Sequence, residues 1–216
     1  MMLSLNEIEA ETRKAVRGAG LSWGLAEEGG KAMRWLAGHG VDASPALADI
    51  LDRHARGEID TGIAADEAGR WTARRAQLCP LTLGVTLCDH AWLLSEGRAL
   101  AAGEVARPLL LLPFAARAAQ IAGRALALVA GRQQVNFCNR GEPAGPLTFA
   151  DIAEAAFVTC EAARSDVRGL PQDSWERPAL DRQAWQAIET FALRTYVPAS
   201  EHSRRHGAGA GQIDND

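Results

Sequence analysis

The hydrophobic rhythm of the chain changes near Cys79, and that change limits the folds open to it. Before it, apolar residues recur at helical spacing behind recognisable helix starts; after it, they come in short runs punctuated by proline and glycine. Ser4-Leu5-Asn6-Glu7 has the form of a capping box, in which a serine hydroxyl and a glutamate carboxylate each take a free backbone amide. Leu5, Ile8 and Val16 form an apolar stripe behind it, and Gly18-Ala19-Gly20 closes that helix. Ser22 is a second candidate cap, with Trp23, Ala26, Met33 and Leu36 near one face and Gly29-Gly30 as a weak point. Ser44-Pro45 reads as cap and first-turn proline for a third helix, which places Leu47, Ile50, Leu51 and His54 on one side.

Beyond Cys79, residues 81–88, 108–114, 135–138 and 157–160 are candidate strands. Residues 115–129 are rich in Ala, Leu and Ile and read as a helix, which would make a parallel strand–helix–strand unit with its neighbours. A last helix is expected over residues 181–196, ended by Pro198. The class that follows is α+β: a helical N-terminal third packed on a small mixed sheet with flanking helices. We expect one such domain over residues 1–203, mainly helical over 1–75 and mixed over 76–203, then a Gly-rich tail over 204–216.

Charge and composition narrow the partners. With 23 basic and 27 acidic residues the chain has a net charge of −4, and no segregated basic face is readable, which argues against nucleic acid. Lys14 and Lys31 are the only lysines among those 23, so arginine supplies nearly all the positive charge. Glu7, Glu9 and Glu11 precede any basic residue, unlike a secretory leader, and export is not expected. The most apolar stretch, residues 108–116, falls far short of the roughly 20 needed to span a bilayer, so no membrane partner is expected. Four scattered cysteines suit a reducing compartment, and the expected location is cytoplasmic.

Candidate chemistry lies in three places. Ser203, Arg204, Arg205 and His206 precede Gly207-Ala208-Gly209, which would bring cationic donors together with exposed amides as a nest for a carboxylate or phosphate. The same tail carries Asp214 and Asp216, and a solvated, taskless terminus is the competing account. Arg107 and Arg140 sit just outside strand-like segments, and Arg140 clusters with Asn136 and Asn139 at a strand end, where open sheets bind ligands. His39, between Gly38 and Gly40, is either an exposed loop imidazole able to transfer a proton or a helix-end residue beside the negative end of a helix dipole. His54 reads as a packing residue. Cys88, His90, Cys138 and Cys160 could meet only if their segments are neighbouring strands; no Cys-x-x-Cys occurs, core thiols are the better account, and no metal ligand set is expected. No P-loop or dinucleotide fingerprint is present, so no cofactor is named.

Four blocks carry a resemblance: Ser4-Leu5-Asn6-Glu7-Ile8-Glu9-Ala10, residues 17–28, Thr195-Tyr196-Val197-Pro198 and residues 207–216. Together they resemble an uncharacterised bacterial family, a domain of unknown function, across the whole chain. The resemblance implies a bacterial, soluble, stand-alone protein and transfers no activity. Asn6 to Ala10, Ala19-Gly20, His39-Gly40-Val41 and Gly57-Glu58-Ile59 are also similar to the amino-terminal helices of the type-2 malate/L-lactate dehydrogenases. That likeness implies His39 as acid/base, although Ala37-Gly38 stand where that family has Asp-Ser. The expected function is binding of a small anionic metabolite, with or without catalysis. The alternative is a non-catalytic accessory subunit whose C-terminal tail docks on a partner enzyme. Neither oligomeric state nor substrate is specified.

Overall fold

The computed structural model describes residues 1–74, 76–164, 167–170 and 175–196. Helix α1 (Leu5–Gly18) opens on the expected capping box: the Glu7 amide donates to Ser4 Oγ at 3.2 Å and the Ser4 amide to Glu7 Oε2 at 2.8 Å. Helix α2 (Trp23–Gly38) begins with the Leu25 amide donating to Ser22 Oγ. The two helices pack closely where the sequence suggests weakness. A Cβ on Gly30 would lie 2.9 Å from the Glu9 carbonyl oxygen and one on Gly29 3.2 Å from Val16 Cγ2. The helix propensity lost at this pair is exchanged for close approach of two backbones.

Helix α3 (Ser44–Ala55) corrects one assignment. Ser44 is its first residue and not its cap; Asp42 takes the Ser44 amide at 2.9 Å and the Ser44 hydroxyl at 2.5 Å. Asp42 also accepts from the Asp181 amide at 2.6 Å, and Asp181 caps the last helix by accepting from Ala184 N. One carboxylate therefore joins the start of α3 to a segment 139 residues away in the chain.

The larger corrections fall after Cys79. Residues 81–88, expected as a strand, form helix α4 (Pro80–Asp89), followed by the short α5 (Ala91–Ser95). Residues 108–114, also expected as a strand, form a 3-10 turn (Pro108–Leu111) that runs into α6 (Leu112–Ala122). Both helices carry proline in their first turn, where its missing N–H and fixed φ suit a helix start. The apolar run is continuous because Leu109, Leu110, Leu111, Leu112, Phe114 and Ala115 are all buried; a helix buried on every side has no stripe to distinguish it from an inner strand.

Helix α6 ends at Gly123 (φ 66°), so residues 115–129 are not one helix. The expected parallel crossover is replaced by an antiparallel hairpin, β6 (Leu126–Ala130) with β7 (Gln133–Phe137), Ala130 facing Gln133 across the turn. The expectation at 135–138 matches β7, with Cys138 just past its end. That at 157–160 lies inside β8 (Glu154–Ala162).

The class is α+β. Short strands β1 (Ile59–Asp60), β2 (Ala64–Ala65), β3 (Trp71–Thr72) and β4 (Gln77–Leu78) precede β5 (Leu100–Ala106). The main order is β1-β4-β5-β8-β6-β7, with β2 paired to β3 and β3 to β5. β1–β4, β4–β5 and β3–β5 are parallel pairs, whereas β2–β3 and the pairs from β8 onward are antiparallel, so the sheet is mixed. Leu78, Val105, Leu128, Val158 and Cys160 enter the same buried cluster as α4, the 3-10 turn and α6. Helix α7 (Arg182–Leu193) closes over α1 and α3, with Trp185 and Ile188 buried. Pro198, expected to stop it, lies outside the described residues.

Gly84 on α4 faces the ring of Phe114 on α6, and a Cβ there would collide with it. Gly84→Ala is expected to lower stability by about 1–3 kcal/mol through overpacking, and Ser4→Ala by about 1 kcal/mol through loss of the cap. Urea denaturation of the two variants beside the parent checks both values.

Candidate functional site

His39 is 7% exposed, and of the two accounts open to it the structure shows the helix-end residue and not an exposed loop imidazole. Helix α2 continues to Gly38, leaving His39 as its C-cap, and Gly40 (φ 76°) turns the chain away. His39 Nδ1 lies 2.8 Å from the Trp35 carbonyl, which can only accept, so Nδ1 carries the proton. The imidazole stacks on Trp35 at 3.9 Å between centroids, and Trp175 lies tilted at 5.9 Å on the structure's other contact to the ring. Burial pushes the His39 pKa below its ordinary value, against the opposing effect of the backbone bond. The ring is thus held neutral as a prop behind Trp35.

The remaining sequence candidates separate. Ser203, Arg204, Arg205, His206, Gly207 and Gly209 lie outside the described residues. Because residues 80–89 are helical, Cys88 and His90 do not share the face that an extended strand would give them. Cys88 donates to the Phe114 carbonyl at 3.5 Å, while His90 Nδ1 meets the Thr86 carbonyl and its ring meets Trp71 edge-on. Burial pushes the Cys88 and Cys160 thiols up to about 12 and raises Cys79 as well, which leaves all three protonated and unreactive. Among the described residues no three His, Cys, Asp or Glu side chains converge as a metal site. The Nδ1 of His54 is buried without a described partner.

Arg107 and Arg140, both singled out in the sequence, fall in different electrostatic settings. Arg107 (φ 43°) donates to Asp49 Oδ2 at 2.7 Å. Nearby Arg53, 14% exposed, lies 3.3 Å from Glu154, 3.8 Å from Glu58 and 3.9 Å from Asp49, and donates to Gln77 at 2.6 Å. The cleft beside them, about 810 Å³, is also lined by Glu104, a second residue with positive φ at 52°. Sequence reasoning missed this network because its members come from five separate segments. Its guanidiniums are already met by carboxylates, so the cleft offers an incoming anion no uncompensated positive charge.

Arg140 belongs to a different region. Between α2 and α6 a cleft of about 390 Å³ is lined by Glu28, Lys31, Trp35, Phe114, Arg117 and Gln120, among others. Lys31 is paired with Glu28 at 2.7 Å, but Arg117 donates to the neutral Gln120 Oε1 at 3.1 Å and has no described carboxylate partner. Gln120 Nε2 in turn donates to the Arg140 carbonyl at 2.7 Å, which fastens the turn after β7 to α6. Gly141 (φ 76°) permits that contact: a Cβ there would sit 2.5 Å from the Ala116 carbonyl oxygen. Past the turn, Cys138, Asn139, Arg140 and Arg168 line a second hollow of about 460 Å³. Arg140 is held by Glu142 at 2.9 Å, which keeps that carboxyl below its usual range. Of the sequence-predicted residues the structure therefore places Arg140 at a cleft and His39 behind the wall of the adjoining one.

Residues 3–77 match a family described as "Protein of unknown function (DUF3726)". The matched stretch covers α1, α2, α3 and β1 to β3 and reaches Gln77 in β4. The DUF3726 match thus supplies the α2 wall of the cleft, with Lys31 and Trp35, while α6 and Arg140 lie beyond it. The blocks at 195–198 and 207–216 also lie beyond it. Nothing in the match extends to the type-2 malate/L-lactate dehydrogenases. No curated protein matches the chain.

Two outcomes test this geometry. Because the folded pKa of His39 is depressed below 6.5, the unfolded chain binds more protons just under that value, so its contribution to stability is full above pH 6.5 and lost as pH falls. His39→Gln should flatten the dependence of unfolding free energy on pH just below 6.5, as read from denaturant midpoints at a series of pH values descending from neutrality. Gly141→Ala should cost about 1–3 kcal/mol, since it combines a strained positive φ with a clash against α6; thermal unfolding reports the loss.

Proposed function

We propose that the chain binds a small anionic metabolite, a carboxylate or phosphate, in the cleft between α2 and α6. One observation carries this reading: Arg117 stands at the cleft with a neutral amide as its partner, beside an apolar wall of Trp35, Pro113 and Phe114. A guanidinium without a carboxylate keeps its donors for an incoming anion, and charge-assisted bonds of this kind are about twice as strong as neutral ones. Lys31 adds a second cation, offset by Glu28. The aromatic wall favours a ligand with an apolar or planar body, and His39 stacked behind Trp35 fixes the orientation of that wall.

The reading is of binding, and no reaction is assigned to it; among the described residues the lining contains no thiol, hydroxyl or imidazole. The sequence offers further donors in Ser203, Arg204, Arg205, His206 and the glycine amides, and a chain ending at residue 202 measures their share. The accessory-subunit alternative depends on the same C-terminal residues, and no described contact favours it.

Calorimetric titration with short aromatic carboxylates and their phosphorylated counterparts tests the proposal. Arg117→Gln is expected to weaken binding about tenfold, or about 1.4 kcal/mol, whereas Arg132→Gln, which removes a charge from the β6–β7 turn, should leave it unchanged. Equal losses in both variants would show that only net charge matters, and no loss in Arg117→Gln would exclude the cleft.

A further inference from the structure

We infer that the ligand of this protein carries two anionic groups, one held at Arg117 and the other in the hollow lined by Arg140 and Arg168. The inference rests on the proposed binding of an anion between α2 and α6, and it names the class of molecule: an elongated dianion, such as a dicarboxylate or a phosphorylated carboxylate. Its basis is the relation between the two clefts.

They share a partition. Gln120 and Ala116 line the first cleft, and the turn carrying Arg140 is pressed against both of them, through the Gln120 Nε2 bond to the Arg140 carbonyl and the close approach of Gly141 to the Ala116 carbonyl. The two spaces, about 390 and 460 Å³, thus lie on either side of a single backbone turn. Phe137, at the end of the strand feeding that turn, lies 6.4 Å from Trp35 between ring centroids, so the aromatic wall of the first space abuts the strand that leads to the second.

The charges divide in the same way. In the first space Lys31 is offset by Glu28, leaving Arg117 in excess. Among the described residues the second space is lined by two guanidiniums, Arg140 and Arg168, and by no carboxylate. Glu142, in contact with the lining residues Cys138 and Gly169, offsets Arg140, leaving Arg168 in excess among the described residues. Among the described residues, each compartment therefore presents one positive charge beyond its internal pairs. A monoanion satisfies one and leaves the other to water, whereas a dianion long enough to cross the turn meets both. The donors of Asn139 add neutral hydrogen bonding in the second space.

The Arg140–Glu142 pair also bears on geometry. Glu142 accepts from Arg140 Nη2 at 2.9 Å and from the Cys138 thiol at 3.4 Å, and its side chain lies where a Cβ on Gly169 would fall. The guanidinium of Arg140 is thus oriented before a ligand arrives, which reduces the ordering cost of binding. Arg168 is the better residue to test, since it has no such described partner whose removal would leave a stranded charge.

The experiment is a calorimetric titration of the full chain with two matched series, straight-chain monocarboxylates and the α,ω-dicarboxylates of the same lengths from six to ten carbons. The wild-type protein should bind at least one diacid about tenfold more tightly than the monoacid of equal length, beyond the statistical factor of two. In Arg168→Gln that preference should vanish while the monoacid affinity persists, and Arg117→Gln should weaken both series. If monoacids bind and depend on Arg117 but no diacid gains, the α2–α6 reading stands and the second subsite is overturned. A diacid preference that survives Arg168→Gln also overturns it. If neither series binds at millimolar concentration, the reading and the inference fall together.

Discussion

Burial of helix α6 on nearly every side organises the elements around it. From Leu109 to Ala119 almost every side chain is apolar and buried, so the segment must be surrounded, and a sheet alone cannot surround it. The sheet, α4, α5 and α2 all pack against it or the turn that precedes it. Burying side chains such as Leu110, Leu111 and Phe114 contributes about 1.5–3 kcal/mol each, enough to commit the surrounding elements to one arrangement. Arg117 is the exposed exception in that stretch and Gln120 follows just past it, and both lie where α6 emerges between α2 and the turn after β7. Closure of the core and placement of the cleft are consequences of the same helix.

Arginine serves two opposite purposes here. At Arg53 and Arg107 the guanidinium is enclosed by Asp49, Glu58 and Glu154 and fastens α3 to the strands. At Arg117 and Arg168 the charge stands without a described carboxylate and faces a hollow. The first kind stabilises through pairing of partly desolvated charge, and removing one partner leaves the other exposed to the full cost. The second keeps its hydrogen-bonding capacity for something else. The neutral amide of Gln120 marks the difference, because it orients Arg117 without neutralising it.

Local chemistry was legible wherever a feature was complete within a few residues. Ser4 with Glu7, Ser22 before Trp23, and the spacing of Trp185, Ile188 and Phe191 each named an element that the structure contains. Apolar runs were read less well. Residues 81–88 and 108–114 have the composition of inner strands, and only the prolines at 80, 108 and 113 spoke for helix starts. Of the site, Arg140 could be seen as a cation at a strand end, whereas Arg117 looked like one more polar residue on an apolar helix. The signal available for it was its spacing of three from Gln120, a neutral partner where a glutamate would have formed an ion pair.

The α+β class, the first two helices, the last helix and the strands around Val135 and Val158 follow from local pattern, because capping and periodicity act over distances shorter than the elements they define. Tertiary structure alone decided that Asp42 joins α3 to α7, that His39 lies buried behind Trp35, and that the turn at Arg140 comes to rest on Gln120. Those contacts link residues far apart in the chain, and whether a charge meets an acid, an amide or open space depends on which surfaces close over it. That outcome is set by packing of the whole, which no local pattern contains.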